Sequence, residues 1–245
     1  MKDVAIFITN FNMPERTDAL YEYIHSHTTW SCDYYIVDNG STIAPLSRYT
    51  NVMLPFNKQT TAGWIEGLLA ARAKEYLAYM FLITSAEFPE TGDPIAPLAQ
   101  FLIDNPAAVG IHPALTADST TSWEHMITRG GDAPRQTWML DNICSMYRAD
   151  WFDSIGWFDP EMLYAWGIDL ETCYKAREQG HSLWIHEGAR AKKITNIGYK
   201  MERMQMSADD RSLAAGANMR QVLAKKYGDQ FWDKMVNQYV KDEWR

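Results

Sequence analysis

Along the first half of the chain, short unbroken apolar runs alternate with amphipathic stretches. VAIFIT (4–9) has no polar interruption before its last residue, as a strand covered on both faces requires. After the turn NFNMPER, residues 16–27 put Leu20, Tyr23 and Ile24 on one face of a helix. DYYIVDNGS (33–41) predicts a second strand ending in a turn, and NVMLPFN (51–57) a short third one. Residues 60–77 predict a helix opened by Thr60. AYMFLIT (78–84) predicts a fourth buried strand, 93–106 a helix closed by Asn105 and Pro106, and 107–115 a fifth strand. This alternation predicts an α/β fold with a mostly parallel central sheet flanked by helices.

The second half reads differently. Residues 118–138 are polar and include Gly130-Gly131, which predicts a long loop of the kind that is often functional or mobile. Residues 142–180 predict a strand, a short helix, an aromatic turn and a second helix, and 181–194 a strand pair. From Ser207 the pattern is helical and amphipathic in two segments, 209–228 and 229–244. With no internal repeat and no low-complexity linker, the 245 residues read as one domain, 1–206, with a C-terminal helical extension, 207–245.

Composition removes several function classes. The net charge is −8 with no basic run, so no nucleic-acid partner is expected. Cys32, Cys144 and Cys173 are isolated and form neither a disulfide framework nor a zinc pattern. They predict a reducing, cytoplasmic setting. The N-terminus lacks a signal-peptide pattern, and no segment reaches the roughly 18 apolar residues of a membrane span. A soluble protein is expected. Trp232 and Trp244 in the C-terminal segment fit packing on the domain, pairing of subunits or peripheral membrane contact. Ten Trp residues fit both a well-filled core and a site that stacks sugars or bases. His112, His125 and His186 have no His or acid at metal-ligand spacing and read as structural or surface residues.

Ligands of parallel sheets bind beyond the carboxyl ends of the strands. That directs attention to residues 9–12, 38–41, Asn57 and 85–87. Further on, Asp169 and Glu171 lie two apart, just after Trp166-Gly167, at the mouth of a predicted helix. Acids there either cap a solvated helix start or serve as a catalytic base.

VAIFITNFNMPE (4–15), YYIVDNGST (34–42), NKQTTAGWIEGL (57–68), MFLITSAEFP (80–89) and SIGWFDPEMLYAWGIDLETCYKAREQG (154–180) occur in that order. Together they resemble the inverting glycosyltransferases with the nucleotide-diphospho-sugar transferase (GT-A) fold, often called family 2. The last stretch is the most specific, since order and spacing agree over more than twenty residues. The resemblance implies a nucleotide-binding half, about 1–115, and an acceptor-binding half, about 116–206. It implies transfer of a sugar from a UDP or dTDP sugar to a hydroxyl of a glycan or other acceptor. Asp169 is then the general base. The donor-binding residues are Thr9, Asn10, Phe11, Asp38, Asn57, Glu87 and Arg129, and the acceptor-binding residues are Trp166, Gly167 and Glu171. At the mouth of its helix Asp169 is expected to be held as the anion by the dipole and free amides. Asp38 reads equally as part of an Asp-Asn-Gly turn, and Phe11 as a core residue.

The family usually binds Mg²⁺ or Mn²⁺ through an Asp-x-Asp. This chain has TSAE there, so Glu87 is the only acid in the window, and Asn196 stands near where a His is often supplied. One carboxylate can hold a metal if phosphates and waters complete the shell. A metal-free version would lean on Arg129, Lys200 or Arg203. The degenerate Asp-x-Asp also fits an inactive relative that keeps only a sugar- or nucleotide-binding cleft. A nucleotidyltransferase or a dinucleotide oxidoreductase would need glycines just after the first strand, and TNFNMPER has none. The oligomeric state is not specified by any of these features.

Overall fold

A computed structural model of the protein describes residues 2–89, 92–194 and 206–243. Its centre is β1 (Val4–Asn10), flanked in parallel by β2 (Cys32–Asp38) and β4 (Ala78–Ile83), with the two-residue β3 (Val52–Met53) at the edge beside β2. The sheet continues through β8 (Cys144–Arg148), β6 (Ala108–Leu115), β9 (Ser182–Lys193) and β5 (Ala86–Glu87), while β7 (Arg135–Thr137) pairs with β9. Strands β1, β2, β3, β4, β6 and β9 share one direction, and β5, β7 and β8 oppose it. The expected α/β architecture with a mostly parallel sheet is what the chain forms.

The unbroken apolar runs follow from burial on both faces. All of β1 except Thr9 is buried. Phe7 stacks on its register partners Tyr35 and Phe81 at 5.3 and 5.2 Å, joining three strands into one aromatic ladder. Helix α2 (Gln59–Ala71) lies over β1 and β2. Its Gly63 and Gly67, one turn apart, meet that surface: a Cβ at Gly63 would stand 2.4 Å from Thr9 Cγ2, and one at Gly67 2.8 Å from Phe7 Cδ1. Small residues at that spacing let the helix settle onto bulky strand side chains. Helices α1 (Pro14–His27) and α3 (Ala96–Asp104) pack against β1 and β6 respectively.

Several elements differ from the pattern-based expectation. Helix α2 stops at Ala71 rather than 77, because the chain folds back so that the Tyr76 hydroxyl reaches Asp33 at 2.7 Å. Helix α3 begins three residues late, since the Asp93 carboxylate accepts the Ile95 and Ala96 amides at 2.9 and 2.8 Å. The expected strand pair at 181–194 is the single strand β9, with an irregularity opposite Pro113 and Ala114. There Glu187 turns inward. Its carboxylate accepts from Arg135 Nε at 2.6 Å, the Thr128 hydroxyl at 2.7 Å and the Arg129 amide at 3.2 Å. These bonds tie the expected long loop to the sheet, and that segment holds a 3₁₀ turn (Glu124–Met126) as well as β7.

After α4 (Ala149–Ser154) and α5 (Ile168–Glu178), the C-terminal segment forms α6 (Ala208–Tyr227), a π-helical turn (Asp233–Asn237) and α7 (Gln238–Glu243). Val222, Leu223, Phe231, Met235 and Val236 are buried in the common core, so this segment packs on the domain. Among the described residues no helix is long and apolar enough to cross a membrane.

Candidate functional site

A cleft of about 410 Å³ opens at the carboxyl ends of β1 and β4. Its lining includes Thr9 at the end of β1 and Phe11 just after it, Asn57 from the loop before α2, Thr84 and Ser85 just after β4, and Thr120, Thr121, Asp141 and Asn142 from the second half of the chain. Trp166 also lines it, with 42% of its surface exposed. Lys193, at the end of β9, and Arg211, in the first turn of α6, reach into the same space.

Local hydrogen bonds hold the nucleotide-side turns. Asn10 and Asp38 are buried and do not line the cleft. Asn10 Nδ2 donates to Asp38 Oδ2 at 3.0 Å, and the Ser41 amide donates to Asp38 Oδ1 at 2.8 Å. One Asp38 oxygen is thus engaged within the Asp-Asn-Gly turn and the other by Asn10 of the neighbouring strand. Asn39 Nδ2 donates to Asn57 Oδ1 at 3.2 Å and to the Gln59 carbonyl at 2.9 Å, which sets Asn57 at the cleft wall. Thr9 Oγ1, Trp64 Nε1 and Asn142 Nδ2 are buried around the cleft without a hydrogen-bond partner among the described residues. Buried polar groups are normally satisfied, and three that are not belong to residues of the cleft wall.

Asp169 sits in the first turn of α5, three residues after Trp166, and is not itself among the residues that line the cleft. Gly167 precedes that helix with φ 90°, a conformation that favours glycine. The Leu170 amide donates to Asp169 Oδ1 at 2.8 Å. Burial, and after it the like charge of Asp141, push the Asp169 carboxyl up to about 7, against the pull of the helix amides. The expectation that the dipole keeps this acid in its ordinary range therefore fails. A terminus dipole is worth about 0.3–1 kcal/mol, less than the cost of ionising a desolvated acid beside another. Burial likewise raises Asp141, opposed by Lys193, whose Nζ lies 3.8 Å from Asp141 Oδ2. The two partly exposed acids are thus both raised, and each disfavours ionisation of the other.

The segment before Asp169 is clamped from two sides. The Ala165 amide donates to Thr61 Oγ1 of α2 at 3.1 Å, and the Thr61 hydroxyl donates to the Met162 carbonyl. From α6, Asn218 accepts the Leu163 amide at 2.8 Å and donates to the Glu161 carbonyl at 2.9 Å. These contacts fix Trp166 in the cleft lining. Gly167 and Glu171, expected on the acceptor side, face α6 instead. A Cβ on Gly167 would lie 2.6 Å from Met219 Cγ. Glu171 is buried, accepts from the Tyr227 hydroxyl at 2.8 Å and pairs with Lys226. The reason is packing: the extension covers that face of α5.

Arg129 does not line the cleft, and its amide is given to Glu187. Glu87 lies on β5 outside the cleft lining, and Arg16 Nη1 pairs with it at 2.6 Å. Where a metal-bridging pair of acids would stand, the end of β4 carries the hydroxyls of Thr84 and Ser85. Among the described residues no three His, Cys, Asp or Glu side chains gather to hold a metal ion. By themselves the Thr84 and Ser85 hydroxyls make a weak donor set for a divalent cation. Asn196, Lys200 and Arg203 lie outside the described residues. His112 and His125 are buried, and burial lowers them to about 3 and about 4.

Asp141, Lys193 and Arg211 were not singled out from the sequence. Asp141 follows the apolar run WML, a weak strand-end signal. Arg211 lies in what reads as a plain amphipathic helix.

No family model and no curated protein matches the sequence. Solved structures do match. GalNAc-T7, solved with UDP, GalNAc and Mn²⁺, superposes with TM-score 0.65 at 13% identity over 95% of this chain and 50% of its own, so the chain spans half of that protein's length. The mannosyltransferase PcManGT from Pyrobaculum calidifontis, in complex with GDP-Man and Mn²⁺, gives TM-score 0.60 at 10% identity over 99% and 78%. S. aureus TarS 1–349, in complex with UDP-GlcNAc, gives 0.63 at 10% identity over 97% and 71%. At this identity the likeness shows the fold, which is the GT-A arrangement.

Proposed function

We propose that the protein is an inverting glycosyltransferase that moves a sugar from a nucleotide-diphosphate sugar, UDP- or dTDP-linked, to a hydroxyl of a glycan or glycoconjugate. The observation that carries this reading is the polar cleft at the carboxyl ends of β1 and β4, with Trp166 and Asp141 in its lining and Asp169, raised to about 7, three residues after Trp166. A general base works best when its pKa lies near the working pH. The fold adds support, since GalNAc-T7 and TarS were each solved with a uridine nucleotide. Fold likeness by itself does not fix chemistry.

In this mechanism Thr9, Phe11 and Asn57 contact the nucleotide, and Asp141 and Asn142 face the transferred sugar. An acceptor sugar rests on the exposed face of Trp166. Its hydroxyl oxygen attacks the anomeric carbon from the side opposite the diphosphate, and Asp169 takes the proton. The bond from that carbon to the phosphate oxygen breaks, and the nucleoside diphosphate leaves with the electron pair. Configuration at the carbon is inverted.

The test is nucleoside-diphosphate release by the purified protein across UDP, dTDP and GDP sugars with a mixed panel of sugar acceptors. Release from one donor, lost in Asp169→Asn with nucleotide binding retained, is the expected result. Binding of a nucleotide sugar without turnover under any condition would leave a binding module instead.

A further inference from the structure

The metal-bridging acids are missing, yet a departing diphosphate still needs positive charge beside it. We infer that Lys193 and Arg211 supply that charge in place of a divalent cation, so that the C-terminal helix α6 is part of the donor site and donor binding needs no metal. This rests on the transferase reading above.

Three observations converge on it. First, the end of β4 offers Thr84 and Ser85, which can donate to phosphate oxygens but bind a metal poorly without a carboxylate. Glu87, the one acid in that window, is held by Arg16 at 2.6 Å and does not line the cleft. Second, two cations line the cleft from separate elements. Lys193 Nζ stands 3.8 Å from Asp141 Oδ2, beyond hydrogen-bond reach, so its protons can turn to a phosphate while the ion pair persists. Arg211 Nη2 donates to Thr60 Oγ1 at 3.3 Å across the cleft wall.

Third, the placement of Arg211 is built in. Ser207 caps α6: its Oγ accepts the Asp210 amide at 3.0 Å, and its hydroxyl donates to Asp210 Oδ2 at 2.7 Å. The Arg211 amide then donates to the Ser207 carbonyl at 3.0 Å as the helix begins. Further along, Asn218 and Met219 hold the segment that carries Trp166 and Asp169. One helix thus positions the base segment and carries a cation into the donor pocket. A guanidinium gives a planar, always-charged fork suited to phosphate oxygens, and an ammonium adds a compact charge. Together they supply the two positive charges that one divalent ion would.

Calorimetric titration of the full chain with UDP, dTDP and GDP, and with the matching monophosphates, in EDTA and again in Mn²⁺, tests this. The expected result is that at least one diphosphate binds with the same Kd in EDTA and in Mn²⁺. Arg211→Gln and Lys193→Gln should each weaken that diphosphate about 10- to 100-fold, the scale of a lost charge-assisted hydrogen bond. The monophosphate should lose much less, and melting temperatures should stay near wild type. Binding that appears only with Mn²⁺, or variants that bind the diphosphate like wild type, would overturn the inference and leave the transferase reading intact. No binding of any nucleotide in either buffer would overturn both.

Discussion

Replacing Asp169 with Asn should stabilise the protein at alkaline pH while removing its activity. Burial and Asp141 raise the Asp169 carboxyl from its ordinary 3.8 to about 7. The folded protein therefore holds a proton that the unfolded chain releases, so this group's contribution to stability falls as pH rises from about 4 to about 7. A shift of roughly 3 units at about 1.36 kcal/mol each sets a ceiling of about 4 kcal/mol for the cost of ionising the site. The proton is shared with Asp141 and solvent screens part of the field, so a gain of about 1–2 kcal/mol near pH 8 is expected for Asn. Asn keeps an oxygen for the Leu170 amide, which now donates at 2.8 Å, so the helix start is preserved. For a chain of this size the gain corresponds to about 2–8 °C in Tm. Thermal denaturation of both proteins at about pH 5 and about pH 8 reads it directly, the gap at the lower pH being roughly a third of that at the higher, since about one of the roughly three units has been crossed by pH 5. Turnover should fall about 10²- to 10⁴-fold. A variant less stable than wild type at the higher pH, or a gap that does not depend on pH, would refute the reasoning.

Two other perturbations follow from the packing of the late segments. Gly167→Ala places a Cβ 2.6 Å from Met219 Cγ at a residue with φ 90°; a loss of about 2–4 kcal/mol in urea denaturation is expected, with acceptor turnover impaired because the Trp166 segment moves. Glu187 is buried, which by itself would raise its carboxyl, yet the bonds from Arg135, Thr128 and the Arg129 amide hold it below the ordinary Glu range. Its contribution is present above the ordinary Glu pKa and is lost as pH falls through the lowered one. Limited proteolysis within 118–134 should therefore accelerate on acidification, and Glu187→Ala should cause the same opening at neutral pH.

The first half of the fold was legible because its physics is local. A strand covered on both faces must be apolar over its buried run, and β1 is from Val4 to Ile8; a helix over a sheet must show one apolar stripe, and α1 does. What could not be read depended on distant partners. Nothing in HEGAR says that Glu187 will turn inward to hold a segment more than fifty residues earlier, so a bulge looks like a turn. Asp38 and Asn10 are strand-end polar residues of the type that binds ligands, but whether they face the cleft or each other depends on the β1–β2 register. Glu171 and Gly167 looked like acceptor residues until α6 was seen to occupy their side of α5. The same helix hid Arg211, since an Arg on an amphipathic helix is solvated in most proteins. Asp169 stands out in the sequence by its position at the helix mouth, but the rise of its carboxyl depends on burial and on a second acid, Asp141, 28 residues away in sequence.

The most direct test of the central claim is the configuration of the new glycosidic bond, read by proton NMR of the product that the wild-type protein forms from an α-linked nucleotide sugar. The account predicts a β-linked product, formed by wild type and not by Asp169→Asn. An α-linked product would contradict it, because a single in-line displacement with Asp169 as base cannot retain configuration.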